Sequence, residues 1–253
     1  MTAPEQEPMK VSIVTVAYNS AATIANTLGS VAEQTHADIE HIVIDGKSTD
    51  ATMAIVAQHR AGLAQVVSEP DRGIYDAMNK GIALATGDMV GFLNADDVLN
   101  DPDAVAGIAG AAAEGADVVY ADLVYVRNDD LRRVVRRWRS GAFHRSRLSF
   151  GWMPPHPTFY VRRSLLQEIG AFDTSLRIAA DYDLMLRCLA RPETTVAYLP
   201  QVVVRMRTGG VSNATLASMM RKSREDLLAL RRHRVGGWLT LFAKNLRKLP
   251  QYF

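Results

Sequence analysis

EPDRGIYDAMNKGIALATGDMVGFLNADD, residues 69–97, carries a turn, a helix and a strand in succession and closes on two adjacent carboxylates, Asp96 and Asp97. Pro70-Asp71-Arg72-Gly73 reads as a turn, Ile74 to Leu84 as a helix, and the apolar run Met89-Val90-Gly91-Phe92-Leu93 as a buried strand. Carboxylates at the end of such a strand point out of the sheet edge, where open α/β sheets bind their ligands. Two like charges side by side repel and call for a cation. Hard oxygen donors suit Mg²⁺ or Mn²⁺, with substrate phosphates as co-ligands. Alone, the stretch points to a metal-assisted enzyme acting on a diphosphate.

The preceding residues repeat the strand–helix alternation. Residues 10–17, KVSIVTVA, read as a β-branched buried strand, and Ser20 is placed to cap a helix bearing Ile24, Leu28, Val31 and Ala32. Ile39 to Ile44 is a second strand ending at Asp45. Ser48 is the expected cap of the next helix, and Gln65 to Ser68 a short third strand. Strands alternating with helices of about ten residues imply βαβ units and a parallel sheet. Right-handed crossovers then bring the ends after Ala17, Asp45 and Leu93 to one edge. Further on, AVAGIAGAAAEG after Asp103 reads as a helix and Asp117 to Tyr120 as a strand. Residues 124–138 read as a hairpin turning at Asn128-Asp129-Asp130. Residues 141–157 read as a loop and residues 158–161 as a strand. Helices are expected over Leu165 to Ile169, Asp181 to Leu189, and residues 213–232.

Composition sets bounds. The chain has 253 residues, 48% hydrophobic and 22% charged, ordinary for a globular protein of one large domain. One cysteine, Cys188, excludes an internal disulfide and fits a reducing compartment; its apolar helical neighbours make it a packing residue. The polar, acidic N-terminus is no signal peptide, and no apolar run is long enough to span a bilayer. The net charge of +2 hides an asymmetry: residues 1–120 hold 5 Lys/Arg against 17 Asp/Glu, residues 121–253 hold 24 against 10. A basic second half fits an anionic partner, although any one basic cluster is more often a solvated face.

Five pieces together resemble a family 2 glycosyltransferase of the GT-A fold: VTVAYNSAATIANTLGSVAEQT, VIDGKSTDAT, EPDRGIYDAMNKGIALATGD, FLNADDVL and GAFDTSLRIAADYDLMLRC. They span roughly residues 10–190 in the expected order. The resemblance implies a Rossmann-like α/β nucleotide-binding sheet over residues 10–120 and an acceptor-side α+β half over 121–210. A disordered start, 1–9, and C-terminal helices, 211–253, flank them. It also implies inverting transfer of a sugar from a nucleotide-diphosphate donor with a divalent cation, Mn²⁺ or Mg²⁺.

Carried over residue by residue, the resemblance sets the turn Thr15-Val16-Ala17-Tyr18-Asn19 against the nucleoside. Asp45 accepts from the base, though a helix cap is the alternative reading; many members carry a second Asp where this chain has Gly46. Asp71 approaches the base and Arg72 base or phosphate. Asn79 supports the nucleotide loop and Lys80 balances phosphate. Asn94-Ala95-Asp96-Asp97 fills the place of the family's DXD motif, with Asn94 at the first position. Asp97 is the expected metal ligand, and Asp96 lies near ribose or metal. Asp181, in Ala179-Ala180-Asp181-Tyr182-Asp183, aligns with the general base, with Asp183 as competitor. His156, Trp152 and Arg207 are placed at the acceptor or diphosphate.

The implied partners are a nucleotide-diphosphate sugar, a glycan or polyprenyl-linked acceptor and an anionic membrane surface; nucleic acid is not among them. The implied location is the cytoplasm, peripheral to the inner membrane face. As a helix, residues 237–249 set Trp238, Leu241, Phe242, Leu246 and Leu249 opposite Lys244, Arg247 and Lys248, to lie on a membrane or dock on the protein's own core. A sugar nucleotidyltransferase is disfavoured because Tyr18-Asn19-Ser20 replaces the Gly-rich loop expected after the first strand. A non-catalytic relative is disfavoured by Asp96, Asp97 and Asp181. No GxGxxG follows the first strand, which argues against a dinucleotide oxidoreductase.

Overall fold

Runs of β-branched residues form the centre of a nine-stranded sheet. The computed structural model describes residues 9–209 and 216–246. Strands β1 (Val11–Ala17), β2 (Ile39–Asp45), β3 (Gln65–Ser68) and β4 (Met89–Phe92) are parallel in the order β3-β2-β1-β4. Helices α1 (Ile24–Ala32), α2 (Thr52–Gln58) and α3 (Ile74–Leu84) connect them. β1 is buried on both faces because alternate residues serve different layers. Val14 and Val16 pack with Ala77 and Met78 of α3, while Val11 and Ile13 face Val31 of α1.

The sheet continues through β8 (Tyr160–Arg162), antiparallel to β4. Next comes β6 (Val118–Arg127), then the parallel β9 (Val196–Arg207), and last the two-residue β5 (Val98–Leu99). β7 (Asp130–Trp138) folds back on β6 as the expected hairpin. Helix α4 (Ala104–Ala113) covers β6 and β9, and its Ile108 and Ala112 enter the core of that layer. Gly91 lies under the Tyr160 ring: a Cβ there would sit 2.1 Å from a ring carbon, so β4 and β8 pair only because residue 91 has no side chain.

On the other face, α5 (Arg163–Ile169), α6 (Ala180–Leu189), α7 (Leu216–Arg232) and α8 (Trp238–Leu246) gather around Leu184, Leu186, Cys188, Leu227, Leu230 and Leu241. Cys188 is fully buried, as its neighbours implied. Among the described residues, no helix is long and apolar enough to cross a membrane.

Several local expectations are corrected. Ser20 does not cap α1 with its side chain; its carbonyl accepts from Thr23 and Ile24 while its hydroxyl turns back to Tyr18. Ser48 does not cap α2. Its hydroxyl donates to Asp45, and the Asp50 carboxylate takes the Thr52 N–H instead. The strand expected to end at Tyr120 runs to Arg127, and β9 and β5 were not anticipated.

The amphipathic face of α8 is also rotated from the expected one. Leu241 is buried, and Lys244 turns inward to Asp226 at 2.8 Å, its ammonium 3.2 Å from the Tyr182 ring centroid. Trp238, Leu239, Phe242 and Leu246 face solvent. The expected disorder before Met9, the helix start at residues 213–215 and the tail residues Arg247, Lys248 and Leu249 lie outside the described residues.

Candidate active site

The register Ala17↔Asp45 aligns the ends of β1 and β2, and Ala95 N–H donating to Val16 O brings the chain after β4 to the same edge. Two turns there are laced together. Asn19 sits in the left-handed region, φ 48°; its side-chain Oδ1 accepts Thr49 N–H at 2.9 Å, and its backbone N–H donates to Ser48 Oγ at 2.8 Å. Beneath them Asp45 is fully buried, and its oxygens accept from Ser48 N–H, the Ser48 hydroxyl and, at 2.6 Å, the Ser68 hydroxyl. Above them Tyr18 is 64% exposed, its ring free to meet a flat ligand.

Gly46 is the hinge of this arrangement. A Cβ at residue 46 would lie 2.3 Å from Asp71 Oδ2 and 3.3 Å from Tyr18 Cδ2. The Asp71 carboxylate therefore occupies the space a side chain at position 46 would need, and it converges with Tyr18 over that glycine. The Asp71 turn is closed by Gly73 N–H donating to Asp71 Oδ1 at 2.8 Å.

Other expected nucleotide contacts point elsewhere. Thr15 is buried and shares a 2.9 Å hydrogen bond with His41, a ring that burial holds down near pKa 4. Ala17 is buried, and its carbonyl accepts Gly46 N–H. The Asn79 amide pairs with the Phe172 backbone in both directions, at 2.9 and 2.8 Å, and ties α3 to the second half. Lys80 is held by Glu69 at 2.8 Å and by Pro70 O at 2.9 Å, so it locks the turn. Arg72 is exposed, its guanidinium pairs with Asp76 at 3.0 Å, and its backbone N–H donates to the same carboxylate at 3.0 Å.

At the end of β4 the carboxylate pair separates into two environments. Asp97 is 1% exposed. Its Oδ1 accepts Arg207 N–H at 3.1 Å and its Oδ2 accepts Asn94 Nδ2 at 3.2 Å. Desolvation first, and the neighbouring Asp96 charge second, push the Asp97 carboxyl up to about 8. Asp96 is exposed at the rim, yet the surrounding walls also shift it upward. Asn94 Oδ1 is buried without a hydrogen-bond partner among the described residues.

Among the described residues, no three His, Cys, Asp or Glu side chains cluster to hold a metal unaided. Two carboxylates and an orphaned amide oxygen form an all-oxygen partial set. That set fits a hard divalent cation whose remaining positions go to diphosphate oxygens. Arg207, expected at the acceptor or diphosphate, is built in beside this pair. Its guanidinium donates to Asn128 O at 2.7 Å and Asn26 Oδ1 at 3.0 Å, and its charge opposes the upward shift of both carboxyls.

Asp181 stands half-buried in the first turn of α6, where a helix dipole favours negative charge. Its Oδ1 accepts Tyr182 N–H at 2.8 Å and the Tyr75 hydroxyl at 3.1 Å; Oδ2 has no partner among the described residues. Asp183 is committed differently. It is buried and paired with Arg187 at 3.0 Å, His233 at 2.8 Å and Arg232 at 3.4 Å. Burial alone would raise its carboxyl, but His233 and the two arginines outweigh burial and lower it.

His156 is half-buried at the start of a single helical turn, His156–Thr158. Its ring stacks on Phe92 at 5.5 Å and meets Phe172 edge-on at 5.7 Å, in a notch where burial lowers its basicity and Asp181 partly restores it. Trp152 is a core residue: it is buried, its indole N–H donates to Ser140 O at 2.9 Å, and Tyr120 packs against its ring. Tyr75, which reading the sequence did not single out, links the donor-side turn to Asp181. Its only sequence signal was its place in the first turn of α3, directly after Asp71-Arg72-Gly73.

Residues 12–178 match the family model described as glycosyl transferase family 2. The chain belongs to glycosyl transferase family 2. This family 2 enzyme is 36% identical over 208 residues to the PGL/p-HBAD biosynthesis glycosyltransferase of Mycobacterium bovis, covering 80% of this chain and 78% of the relative. A mannosyltransferase from Pyrobaculum calidifontis, solved in complex with GDP-Man and Mn²⁺, superposes with a TM-score of 0.68 at 21% identity, covering 97% of this chain and 71% of that one. S. aureus TarS 1-349 in complex with UDP-GlcNAc gives 0.64 at 21% identity over 96% of this chain and 78% of that one. The sheet and its helices are thus those of GT-A glycosyltransferases, and this family 2 chain is a glycosyltransferase.

Proposed function

We propose that the enzyme transfers a sugar, with inversion, from a nucleotide-diphosphate donor to a hydroxyl of a glycan or polyprenyl-linked acceptor. The observation that carries this reading is the division of labour among three carboxylates. Asp96 and Asp97 share one strand end and resist ionising together, while Asp181, on the acceptor-side helix, keeps an oxygen free. Tyr18 and Asp71, converging over Gly46, take the base and ribose. Asp96, Asp97 and Asn94 Oδ1 would hold Mn²⁺ or Mg²⁺. When bound, the ion neutralises charge on the departing diphosphate. The complexes of the structural neighbours with GDP-Man and Mn²⁺, and with UDP-GlcNAc, support that donor class.

Asp181 performs the proton transfer. Tyr75 and Tyr182 N–H hold Oδ1, which leaves Oδ2 to accept the acceptor proton as the hydroxyl oxygen bonds to the anomeric carbon and the bond to diphosphate breaks. The test is to supply nucleotide sugars and acceptor and follow the products by NMR. Nucleoside diphosphate and an inverted glycoside are expected. Release of inorganic diphosphate from a sugar 1-phosphate and a nucleoside triphosphate would favour a nucleotidyltransferase instead.

A membrane-bound acceptor fits the outer face of α8, on which Trp238, Leu239, Phe242 and Leu246 are exposed and Arg231 lies 6.0 Å from the Trp238 ring centroid. Apolar side chains beside cations match an anionic bilayer surface at the cytoplasmic face. Co-sedimentation with vesicles rich in anionic lipid is expected to fall about tenfold or more in W238E/F242E, since each inserted aromatic becomes a charge. Equal sedimentation of wild type and variant would remove α8 from membrane binding.

A further inference from the structure

We propose that Glu225 of α7 is a positioning residue for the catalytic carboxylate, an inference that rests on Asp181 being the base. Glu225 is 9% exposed and its carboxylate faces the loop entering α6. Oε1 accepts Arg177 N–H at 3.2 Å, and Oε2 accepts Ile178 N–H at 2.8 Å and Ala179 N–H at 3.0 Å. Three consecutive backbone donors thus converge on one anion. Charge-assisted bonds of this kind are about twice as strong as neutral ones. Ala179 is also the residue whose carbonyl accepts Asp183 N–H and closes the first turn of α6, so its position sets the direction in which Asp181 leaves the helix.

The same loop is held from its other side. Tyr75 donates to Ile178 O at 2.7 Å as well as to Asp181, so the loop lies between a donor on α3 and an acceptor on α7. Farther along α7, Arg232 reaches Asp173 at 2.7 Å, and Arg232 and His233 both reach Asp183. α7 therefore clamps the segment on either side of the base. The family match ends at residue 178 and stops short of both Asp181 and Glu225.

A shift of about 1 Å in a reacting group costs on the order of a hundredfold in rate. Glu225→Ala frees three N–H groups and the loop that carries them, and Glu225 touches none of Tyr18, Asp71, Asp96 or Asp97. In the full chain, E225A is expected to lower kcat about tenfold to a hundredfold. The donor dissociation constant, by calorimetry with Mn²⁺, should stay within about twofold, and E225Q, which keeps one acceptor oxygen, should fall between.

Unchanged kcat in E225A would overturn the proposal. So would a fall in donor affinity parallel to kcat, because a purely structural role weakens both. If E225A does not fold, E225Q carries the same comparison, and wild-type kcat in E225Q overturns it. D181N run alongside separates the two claims. Turnover by D181N removes the base assignment itself, whereas an inactive D181N beside a fully active E225A removes only the role of Glu225.

Discussion

Asp181→Asn is expected to lower kcat by about 10² to 10⁴, the usual share of general base catalysis, while donor affinity stays within about twofold of wild type. The substitution is nearly isosteric. The Asn carbonyl oxygen can keep the bonds from Tyr182 N–H and the Tyr75 hydroxyl, so the side chain stays in place. An amide NH₂ then stands where Oδ2 was, and it cannot accept the proton that the attacking hydroxyl must lose. Single-turnover rates with saturating donor, beside calorimetric binding of the same donor, check both halves. A variant that turns over at the wild-type rate would move the base elsewhere, although Asp183 is closed to that role by Arg187, Arg232 and His233.

The second large effect belongs to Asp97. Burial and the Asp96 charge hold its carboxyl far above the ordinary carboxylate range, which favours the protonated form near neutral pH, and under the proposed function a cation takes the place of that proton. Donor affinity in Mn²⁺ should therefore rise with pH from about 6 to 8 in wild type, because the proton released on binding becomes easier to lose. In Asp97→Ala the affinity should be weaker by about tenfold or more, with the pH dependence gone.

Stability without metal follows the same linkage with a definite sign. A carboxyl whose folded pKa exceeds its unfolded value contributes its stability below the unfolded pKa, near 3.9, and loses that contribution as pH rises toward the folded value. Metal-free wild type should thus lose ground to Asp97→Asn between about pH 4 and 8. Each kcal/mol of difference appears as about 2–4 °C in Tm for a chain of this size. Calorimetric scans across that window decide it; parallel Tm curves for the two proteins would show that Asp97 titrates normally.

What could be read from the sequence was local. β1 to β4 and α3 followed from β-branched runs and turn residues, and α3 occupies the expected Ile74–Leu84. Tyr18, Asp71, Asp96 and Asp181 sit at strand ends, turns or a helix start, so their positions followed from those elements. β9 was hidden because Pro200 and Gln201 interrupt its pattern. In the sheet they bulge out between the pairs Ala121↔Leu199 and Asp122↔Val202, and the strand resumes. β5 has two residues and exists only by pairing with β9.

The ties that fix four of the expected site residues share one feature: their partners are distant in sequence. Asn79 is fixed by Phe172, Thr15 by His41, Trp152 by Ser140 and Arg207 by Asp97, and no local pattern announces such pairs. Glu225 was invisible for the same reason. In sequence it is one of two adjacent acidic residues in a basic helix, and its meaning comes from three N–H groups that only the fold brings to it.

The proposed reaction is a single displacement, with the donor at the β4 strand end and the base on α6. The most direct measurement is the anomeric configuration of the first-formed glycoside, read by proton NMR during turnover of a nucleotide sugar with Mn²⁺ and acceptor. Inversion at the anomeric carbon and stoichiometric nucleoside diphosphate are expected. A glycoside with the donor's own configuration would contradict a single displacement.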